Sequence, residues 1–198
     1  MCAGMQGLLI DIECQISNGL PSMIIIGSAS RSIDEAKERV RSAYTNSNLK
    51  FPKKRITINL APADVPKDGT SLDLAIAVAI LAASQQIDQT NQKDLQKHMF
   101  IGELGLDGSL RPIRGIIGTL LAAHKFGDYT YVIPHANLAQ AQAIQGLKII
   151  AIQNLQELFL HITKVSPLTV QITDGLMVHQ GKKPTASIQM EDITGQVQ

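Results

Sequence analysis

The chain has 198 residues, a formal charge of +1 and 44% hydrophobic residues, which is enough apolar sequence for a folded core and excludes a disordered chain. The balanced charge gives no global field for nucleic acid or an anionic membrane, and an aromatic content of 4% argues against stacking platforms for bases. Charged residues make up 18%, below the usual share of about a quarter, which predicts that a partner or further chain covers part of the surface.

Cysteine usage and the lack of a targeting segment indicate the compartment. Cys2 and Cys14 are too few for a disulfide framework or a four-ligand zinc site, so both are predicted to be free thiols in a reducing cytosol. No Lys or Arg precedes Arg31, so the charged region of a signal peptide is missing. The longest apolar run, residues 74–83, has ten residues, whereas a bilayer-spanning helix needs about twenty. We expect a soluble, cytoplasmic protein with no membrane partner.

The first predicted elements are strands. Apolar residues alternate over residues 10–16, and Ser17-Asn18-Gly19 offers hairpin-turn chemistry. A second strand over residues 23–26 follows Pro21, so the opening is predicted to be a β-hairpin. A strand over residues 56–60 and a loop with two prolines over residues 61–69 come later.

Two helices are predicted in the same half of the chain. Ser32 and Glu35 match a capping box, which predicts a helix that starts at Ser32 and runs to about Asn46. A second helix over residues 71–84 is apolar nearly all round, which is typical of a helix in the middle of a domain.

Strands and helices alternate in the second half. In chain order the pattern predicts a surface connection with a short helix over residues 85–97, a strand over 99–104, a turn at Asp107-Gly108, a helix over 113–124, a strand over 129–133, a short helix capped by Asn137, a strand over 147–152, and a helix over 155–162 capped by Asn154. After Lys164 the amphipathic period ends, and the following residues are predicted to be a linker.

Ser71 is the first candidate functional residue. A glycine in a tight turn precedes it, and a buried helix follows, so its hydroxyl would lie where the helix dipole and free N–H groups stabilise an alkoxide or an oxyanion. A nucleophilic serine also needs a base, and the sequence identifies none. The alternative is that Ser71 only caps the helix.

A basic cluster is the second candidate. Seven of the eighteen basic residues lie between positions 37 and 55: Lys37, Arg39, Arg41, Lys50, Lys53, Lys54 and Arg55. Such a cluster can neutralise phosphates, but without interleaved aromatic residues it reads no base sequence. A solvated helix face or a contact between subunits is the alternative.

Metal and nucleotide motifs are missing. The histidines show no metal-ligand spacing; they are His98, His124, His135, His161 and His179. The chain also contains no Gly-x-x-x-x-Gly-Lys-Ser/Thr phosphate loop. We therefore expect no metal site and no nucleotide site within it.

Five stretches of the sequence together carry a family resemblance: residues 17–21 (SNGLP), 38–43 (ERVRSA), 52–64 (PKKRITINLAPAD), 81–84 (LAAS) and 100–114 (FIGELGLDGSLRPIR). They resemble the N-terminal domain of the Mg-chelatase-like ComM/YifB proteins. The resemblance covers about residues 5–162, and residues 191–196 (EDITGQ) resemble the opening of the AAA+ module of that family.

This resemblance implies a fold, partners and cofactors. Residues 1–164 would form a Lon-protease-like α/β domain of the ribosomal S5 domain 2-like type, with a mixed sheet packed against helices. Residues 165–198 would be a linker and the start of an AAA+ module otherwise absent from this chain. ComM-type members are hexameric, ATP-driven DNA helicases that promote branch migration in natural transformation, so DNA and further copies of the chain are the implied partners. ATP and Mg²⁺ are implied for the full-length protein and no cofactor for this fragment.

The resemblance also bears on the site residues. Ser71 falls where Lon-type proteases carry their nucleophile, but Ile117 falls where they carry the catalytic lysine, and Lys67 and Lys125 do not match that position. Isoleucine cannot accept a proton, so the dyad is broken and we expect no catalytic residue here. The full-length protein would be an ATPase and helicase.

The resulting hypothesis is an accessory domain for DNA engagement or ring assembly. The candidate phosphate contacts are Lys37, Arg41, Lys53, Lys54 and Arg55. The alternatives are a pure oligomerisation or protein-binding module and an unorthodox peptidase that uses Ser71.

Overall fold

The computed structural model describes residues 2–3 and 6–175. The strands are β1 (Cys2–Ala3), β2 (Gln6–Gly7), β3 (Asp11–Ser17), β4 (Ser22–Ile26), β5 (Arg55–Ala61), β6 (His98–Phe100), β7 (Glu103–Leu104), β8 (Leu110–Arg111), β9 (Thr130–Pro134), β10 (Gln145–Ile152) and β11 (Gln171–Asp174). The α-helices are α1 (Arg31–Asp34), α2 (Ala36–Asn46), α3 (Asp73–Ala83), α4 (Gln89–Leu95), α5 (Ile116–Ala123), α6 (Leu138–Ala141) and α7 (Leu155–Ile162). Mixed sheets packed with helices confirm the α/β class.

The first sheet has the strand order β3-β5-β4. Strand β5 is the middle strand, antiparallel to β3 and parallel to β4. Its residues Ile56, Ile58 and Leu60 are fully buried. The predicted β-hairpin is therefore wrong, since β5 separates its two strands. With β5 between them, β3 and β4 lie two strand spacings apart, about 10 Å. The turn after β3 therefore reverses the chain direction but does not place β4 next to β3.

The second sheet has the strand order β11-β10-β9-β6. Strands β6, β9 and β10 run parallel, and β11 is antiparallel to β10. Tyr131, Val132 and Ile133 are successive and all fully buried, so β9 is covered on both faces, as parallel strands usually are.

Helix α3 lies in the larger of two hydrophobic cores, as its all-round apolar sequence predicts. Leu74, Ile76, Ala77, Ile80 and Leu81 are fully buried. The smaller core lies on the second sheet, where α5 packs. The second sheet separates the two cores, because Val132 and Ile150 belong to the larger core and their neighbours Tyr131 and Ile149 belong to the smaller one.

The predicted helix from Ser32 to Asn46 is two helices, and its capping box does not form. The break falls at Glu35, between α1 and α2. Ser32 lies inside α1, where its Oγ donates to Asp68 Oδ1 (2.7 Å) and accepts from the backbone N–H of Gly69 (3.0 Å). The Ser32 hydroxyl, which the local pattern predicts to cap the helix, is instead hydrogen-bonded to a loop more than 30 positions away.

The predicted strand over residues 99–104 is also divided. The chain leaves the second sheet after Phe100 and forms β7 with a different partner, β8. Between them, Gly102 accepts from the backbone N–H of Leu74 (3.1 Å) and donates to the carbonyl of Ser71 (3.0 Å). A Cβ at Gly102 would lie 3.3 Å from the Leu74 Cβ, so this close approach of backbones accounts for the break.

The two predicted asparagine caps have different outcomes. Asn154 is confirmed, because its side chain accepts from the N–H of Glu157 at 2.8 Å. Asn137 does occupy the N-cap position of α6, but its side chain forms no capping hydrogen bond: its amide oxygen accepts from the N–H of Ile113 (2.8 Å), and its amide nitrogen donates to the Ile113 carbonyl (3.0 Å). Ile113 is thereby held outside the helix predicted from it, and α5 begins at Ile116.

The second sheet continues beyond residue 164. Strand β11 lies in the segment that the sequence assigns to a linker, and Thr173 there is buried and accepts from the N–H of Leu147 (2.9 Å). The resemblance of residues 191–196 to the opening of an AAA+ module lies outside the described residues. Among the helices that the structure describes, none is long and apolar enough to cross a membrane.

Candidate functional site

The loop from Lys67 to Asp73 holds the first candidate residue. Lys67 is buried, and its Nζ donates to the carbonyl of Pro62. Asp68 accepts from the hydroxyls of Ser30 and Ser32, and these bonds, Ser32 first, lower its carboxyl pKa.

The end of this loop is held by a buried ion pair. Arg39 of α2 donates from Nε to Asp73 Oδ2 (2.6 Å) and from Nη2 to Oδ1 (2.9 Å), a bidentate geometry. The N–H of Leu104 also donates to Asp73 Oδ2 (3.2 Å). Burial raises the pKa of Asp73 against the opposing effect of Arg39. This pair ties α2, α3 and β7 together at the start of α3.

Ser71 differs from its neighbours in the loop. Thr70 Oγ1 donates to Glu103, which also pairs with Arg111 (3.3 Å). The Ser71 hydroxyl forms no hydrogen bond with any residue that the structure describes, and it does not cap α3, whose N-cap position is Leu72. The capping alternative is therefore wrong, and the Ser71 side chain is half-buried at the wall of a cavity.

The cavity has a volume of about 710 Å³ and is lined by residues of both cores. One wall is the side of α3 that carries small residues, Ala75, Ala79 and Ala82. The segment over residues 7–12, helix α4 and helix α5 form the other walls. Ser71 lies at the start of α3 and Ala82 near its end, so the cavity follows that helix for about 15 Å.

None of the residues that the sequence suggested as a base for Ser71 lies in the cavity beside it. Lys67 is bonded to Pro62, and Lys67, Ile117 and Lys125 are all outside the cavity lining. The titratable residues of the lining are Asp11, Lys93, His98 and Tyr129, and His98 uses Nδ1 to donate to the carbonyl of Asp94 (2.8 Å). This arrangement can enclose an apolar group and offer it one hydroxyl, but no described side chain is hydrogen-bonded to Ser71 to activate it.

The basic cluster lies on one end of the first sheet. Lys53 and Lys54 are exposed in the turn before β5, and Arg55 starts that strand between Ser17 and Ser22 of its neighbours. None of the three forms an ion pair with a described residue. Their cationic groups are therefore available to a partner.

Arg41 and Lys37 extend this end along α2. The guanidinium of Arg41 lies over the ring of Phe51, 5.5 Å from the ring centroid. Phe51 is two positions before Lys53 in the chain. Lys37 is one helical turn earlier and is paired with Asp34. The structure brings Arg41 to the same end as Lys53, but Lys37 is partly neutralised.

Arg39 belongs to the interior although the sequence places it in the basic run. Its helical position would have shown this: Arg39 is three residues after Ala36 and four before Ala43, both of which are fully buried. A cation on the buried face of a helix requires an anionic partner. The sequence does not predict the pairing of Arg39 with Asp73, because no local pattern links residues in different helices.

Metal and thiol chemistry find little support among the described residues. They contain no group of three or more His, Cys, Asp or Glu arranged to hold a metal ion. Cys14 is a free thiol, and burial raises its pKa to about 11, so the reactive thiolate is scarce at neutral pH. The side chain of Cys2 lies outside the described residues.

Comparison with known proteins gives a consistent set of matches. A family model described as subunit ChlI of Mg-chelatase matches residues 12–137. Competence protein ComM of Haemophilus influenzae is 38% identical over 98% of this chain and 37% of its own length. The uncharacterised protein YifB of Salmonella typhimurium is 38% identical over 96% of this chain and 36% of its own length.

A more distant match is Lon protease 2 of Bacillus subtilis, 30% identical over 83% of this chain and 32% of its own length. The chain thus spans about a third of the length of the curated relatives that it matches. The resemblance to Mg-chelatase-like ComM/YifB proteins, with a Lon-like relationship, is confirmed.

Proposed function

The chain belongs to the family of subunit ChlI of Mg-chelatase, and from this premise we propose that it is the N-terminal accessory domain of an ATP-dependent AAA+ DNA motor. The motor is of the branch-migration helicase type that acts in natural transformation and recombination in the cytoplasm. The domain has the S5 domain 2-like fold of the Lon protease domain. ATP and Mg²⁺ are used by the AAA+ module of the longer protein, which assembles as a hexamer, and this domain contributes DNA engagement or ring assembly.

The observation that supports DNA engagement is the exposed basic end formed by Lys53, Lys54 and Arg55. These side chains have no ion-pair partner among the described residues, and Arg41 beside them is supported by Phe51. Cations held on a rigid strand and helix can neutralise phosphates without reading bases. A helicase domain that follows DNA of any sequence needs contacts of this kind.

Charge reversal tests this role. We expect the triple variant Lys53→Glu, Lys54→Glu, Arg55→Glu, in the longer protein that contains this chain, to lose most of its affinity for branched and single-stranded DNA. The slope of log affinity against log salt should fall by roughly 2 to 3 for three lost phosphate contacts. The measurement is a binding titration at several salt concentrations, with sedimentation as a readout of assembly.

The control keeps the net charge change and moves its position. The exposed residues Lys97, Arg114 and Lys125 are changed to Glu, and we expect DNA affinity close to that of the unmodified protein. Loss of DNA binding with intact assembly supports DNA engagement, and loss of assembly favours the oligomerisation alternative. Equal losses in the two triple variants would contradict a specific role for residues 53–55.

The motor assignment has its own test in the longer gene. The sequence that follows Gln198 must encode a Gly-x-x-x-x-Gly-Lys-Ser/Thr loop, because the triphosphate needs that backbone cradle and lysine. Its presence, followed by DNA-stimulated ATP hydrolysis, supports an ATP-driven machine. A stop codon there would leave the binding-module and peptidase alternatives.

The peptidase alternative rests on the Ser71 hydroxyl at the wall of the cavity and on the match to Lon protease 2. A fluorophosphonate probe should leave Ser71 unmodified, because no described side chain is bonded to it as a base. A covalent adduct that disappears in the variant Ser71→Ala would instead establish an activated nucleophile.

A further inference from the structure

We propose that the turn between β3 and β4, residues 18–21, is a wedge whose Leu20 inserts between bases at the branch point of DNA. This inference rests on the proposed function, because it takes residues 53–55 as the cations that hold the DNA. It adds a feature that distinguishes branched DNA from a linear duplex. The cations alone cannot do this, because phosphate contacts carry no information about the bases.

Leu20 is an apolar side chain exposed to water. It is 89% exposed, whereas the next most exposed large hydrophobic residue that the structure describes, Val165, is 72% exposed. Asn18, Gly19 and Pro21 beside it are exposed as well. Leu20 belongs to neither hydrophobic core, so its side chain is available to an apolar partner that removes it from water.

The turn lies against the basic end of the first sheet. Ser17 and Ser22, on either side of the turn, are both in register with Arg55. A Cβ on Gly19 would lie 3.9 Å from the Arg55 Cβ, and the N–H of Ser22 donates to the carbonyl of Lys54 (3.4 Å). The turn therefore crosses the start of β5, and its apolar tip lies beside the cations of the basic end.

The charge of the segments that form this end has one sign. Residues 14–33 contain the turn and residues 39–63 contain the basic end, and neither segment contains Asp or Glu. A phosphate backbone that binds residues 53–55 therefore meets no carboxylate from these segments. DNA held there places its bases next to Leu20.

The turn is held in place at both ends. Strands β3 and β4 pair with opposite sides of β5, so the turn is attached to the sheet before and after its tip. Gly19 has a φ of +147°, a conformation that favours glycine, and the ring of Pro21 fixes the φ of that residue. A tip restrained in this way loses little conformational freedom when it inserts, which lowers the entropic cost of binding.

A branch point is the place in DNA where insertion costs least. Leucine and proline are among the apolar side chains that insert between base steps and partly unstack them. Unstacking costs least where a base is already unpaired, as it is at an open branch. An anionic membrane also combines apolar and negative groups, but even a whole myristoyl chain gives only marginal membrane binding, and a leucine is much smaller.

The experiment compares two leucine substitutions in the longer protein that contains this chain. Leu20→Ser removes the wedge, and Leu106→Ser makes the same change in the turn between β7 and β8, where Leu106 is 55% exposed. The probes are a synthetic four-way junction and a linear duplex of the same length and base composition. Each carries 2-aminopurine, whose fluorescence rises when its base unstacks, and in the junction it lies next to the branch. Circular dichroism checks that both variants are folded.

The unmodified protein and Leu106→Ser should bind the junction more tightly than the duplex and raise the fluorescence next to the branch. Leu20→Ser should lose most of that rise, and its preference for the junction should fall about tenfold, because the leucine side chain is no longer buried between bases. Its slope of log affinity against log salt should stay unchanged, since no cation is removed.

The triple variant at residues 53–55 distinguishes failure of the wedge from failure of the proposed function. If that variant loses DNA binding while Leu20→Ser keeps the fluorescence rise and the junction preference, the wedge is overturned and DNA engagement stands. If the triple variant binds DNA as the unmodified protein does, both are overturned.

Three further results would overturn the wedge alone. The first is junction binding by the unmodified protein without a rise in fluorescence. The second is an equal loss of affinity for junction and duplex in Leu20→Ser. The third is binding to phosphatidylserine vesicles that Leu20→Ser abolishes while its DNA binding stays unchanged, which would assign the tip to a membrane.

Discussion

The loop over residues 67–73 and the turn over residues 53–55 are both rich in charge, and they use it in opposite ways. In the loop, Lys67 and Asp73 are buried and bonded to other parts of the protein. In the turn, Lys53 and Lys54 are exposed and form no ion pair with a described residue. Similar side chains therefore stabilise the fold at one place and remain available to a partner at the other.

This difference follows from burial. An ionised group that loses water must gain a partner of similar strength, so the charges near α3 are fixed by geometry and would destabilise the fold if left alone. Exposed charges keep their hydration, cost little, and interact with whatever anion approaches. The comparison predicts large effects on stability in the loop and effects on binding, without loss of stability, in the turn.

The largest expected effect is at the buried ion pair. Arg39→Ala removes both guanidinium hydrogen bonds to Asp73 and leaves its carboxylate buried with the N–H of Leu104 but without a cation, which should lower the free energy of unfolding by about 3–5 kcal/mol. Urea unfolding monitored by circular dichroism measures it. The matched control is Arg31→Ala, which breaks an exposed pair with Glu35 and should cost less than about 1 kcal/mol. Similar losses of unfolding free energy in both variants would show that burial does not determine how much an ion pair contributes to stability.

A smaller effect separates two neighbouring hydroxyls in the loop. Thr70→Val removes the hydrogen bond to the Glu103 carboxylate and should lower the free energy of unfolding by about 1–3 kcal/mol. Ser71→Ala removes a hydroxyl that is bonded to no described residue, and the change should stay within about 0.5 kcal/mol. Thermal unfolding of the two variants distinguishes them. A large loss in Ser71→Ala would mean that Ser71 has a structural role.

The smallest effect concerns pH. Burial lowers the pKa of His98 and of His161, and nearby Lys164 lowers both further. Below about pH 6.5 the unfolded chain therefore binds more protons than the folded one, and stability falls as the pH decreases.

His161 also accepts from the N–H of Leu168 through Nδ1 (2.9 Å), and protonation would abolish that bond. Urea unfolding should show a lower free energy of unfolding at pH 5.5 than at pH 7.5, and the difference should be smaller in His161→Gln. The triple variant at residues 53–55 leaves both histidines and their contacts in place and should keep the pH dependence of stability. A stability that rises towards pH 5.5 would contradict the assignment.

Sequence patterns predicted elements better than they predicted contacts. The alternation in β5 and the cap at Asn154 were correct because both depend on residues within a few positions of one another. Ser32 and Asn137 also matched capping patterns, yet their side chains bond to Asp68 and Ile113, 36 and 24 positions away. A capping hydrogen bond contributes only about 1 kcal/mol, so a tertiary partner can replace it.

For the candidate site too, sequence patterns identified residues but not their contacts. The sequence identified Ser71 and the basic run as the residues to examine, and it identified the family resemblance through local motifs. It could not show that Arg39 faces Asp73, that Ser71 lies at the wall of a cavity, or that β5 separates the first two strands of the sheet.

Sequence alone determined the α/β class, the positions of most helices and strands, and the set of charged residues. These properties depend on local periodicity and composition. Only the tertiary structure decided which charges are buried in pairs, which remain exposed, and which of the exposed ones lie beside the turn that carries Leu20. Those properties arise from contacts between segments far apart in the chain, and the energy of such contacts depends on burial, which no local pattern contains.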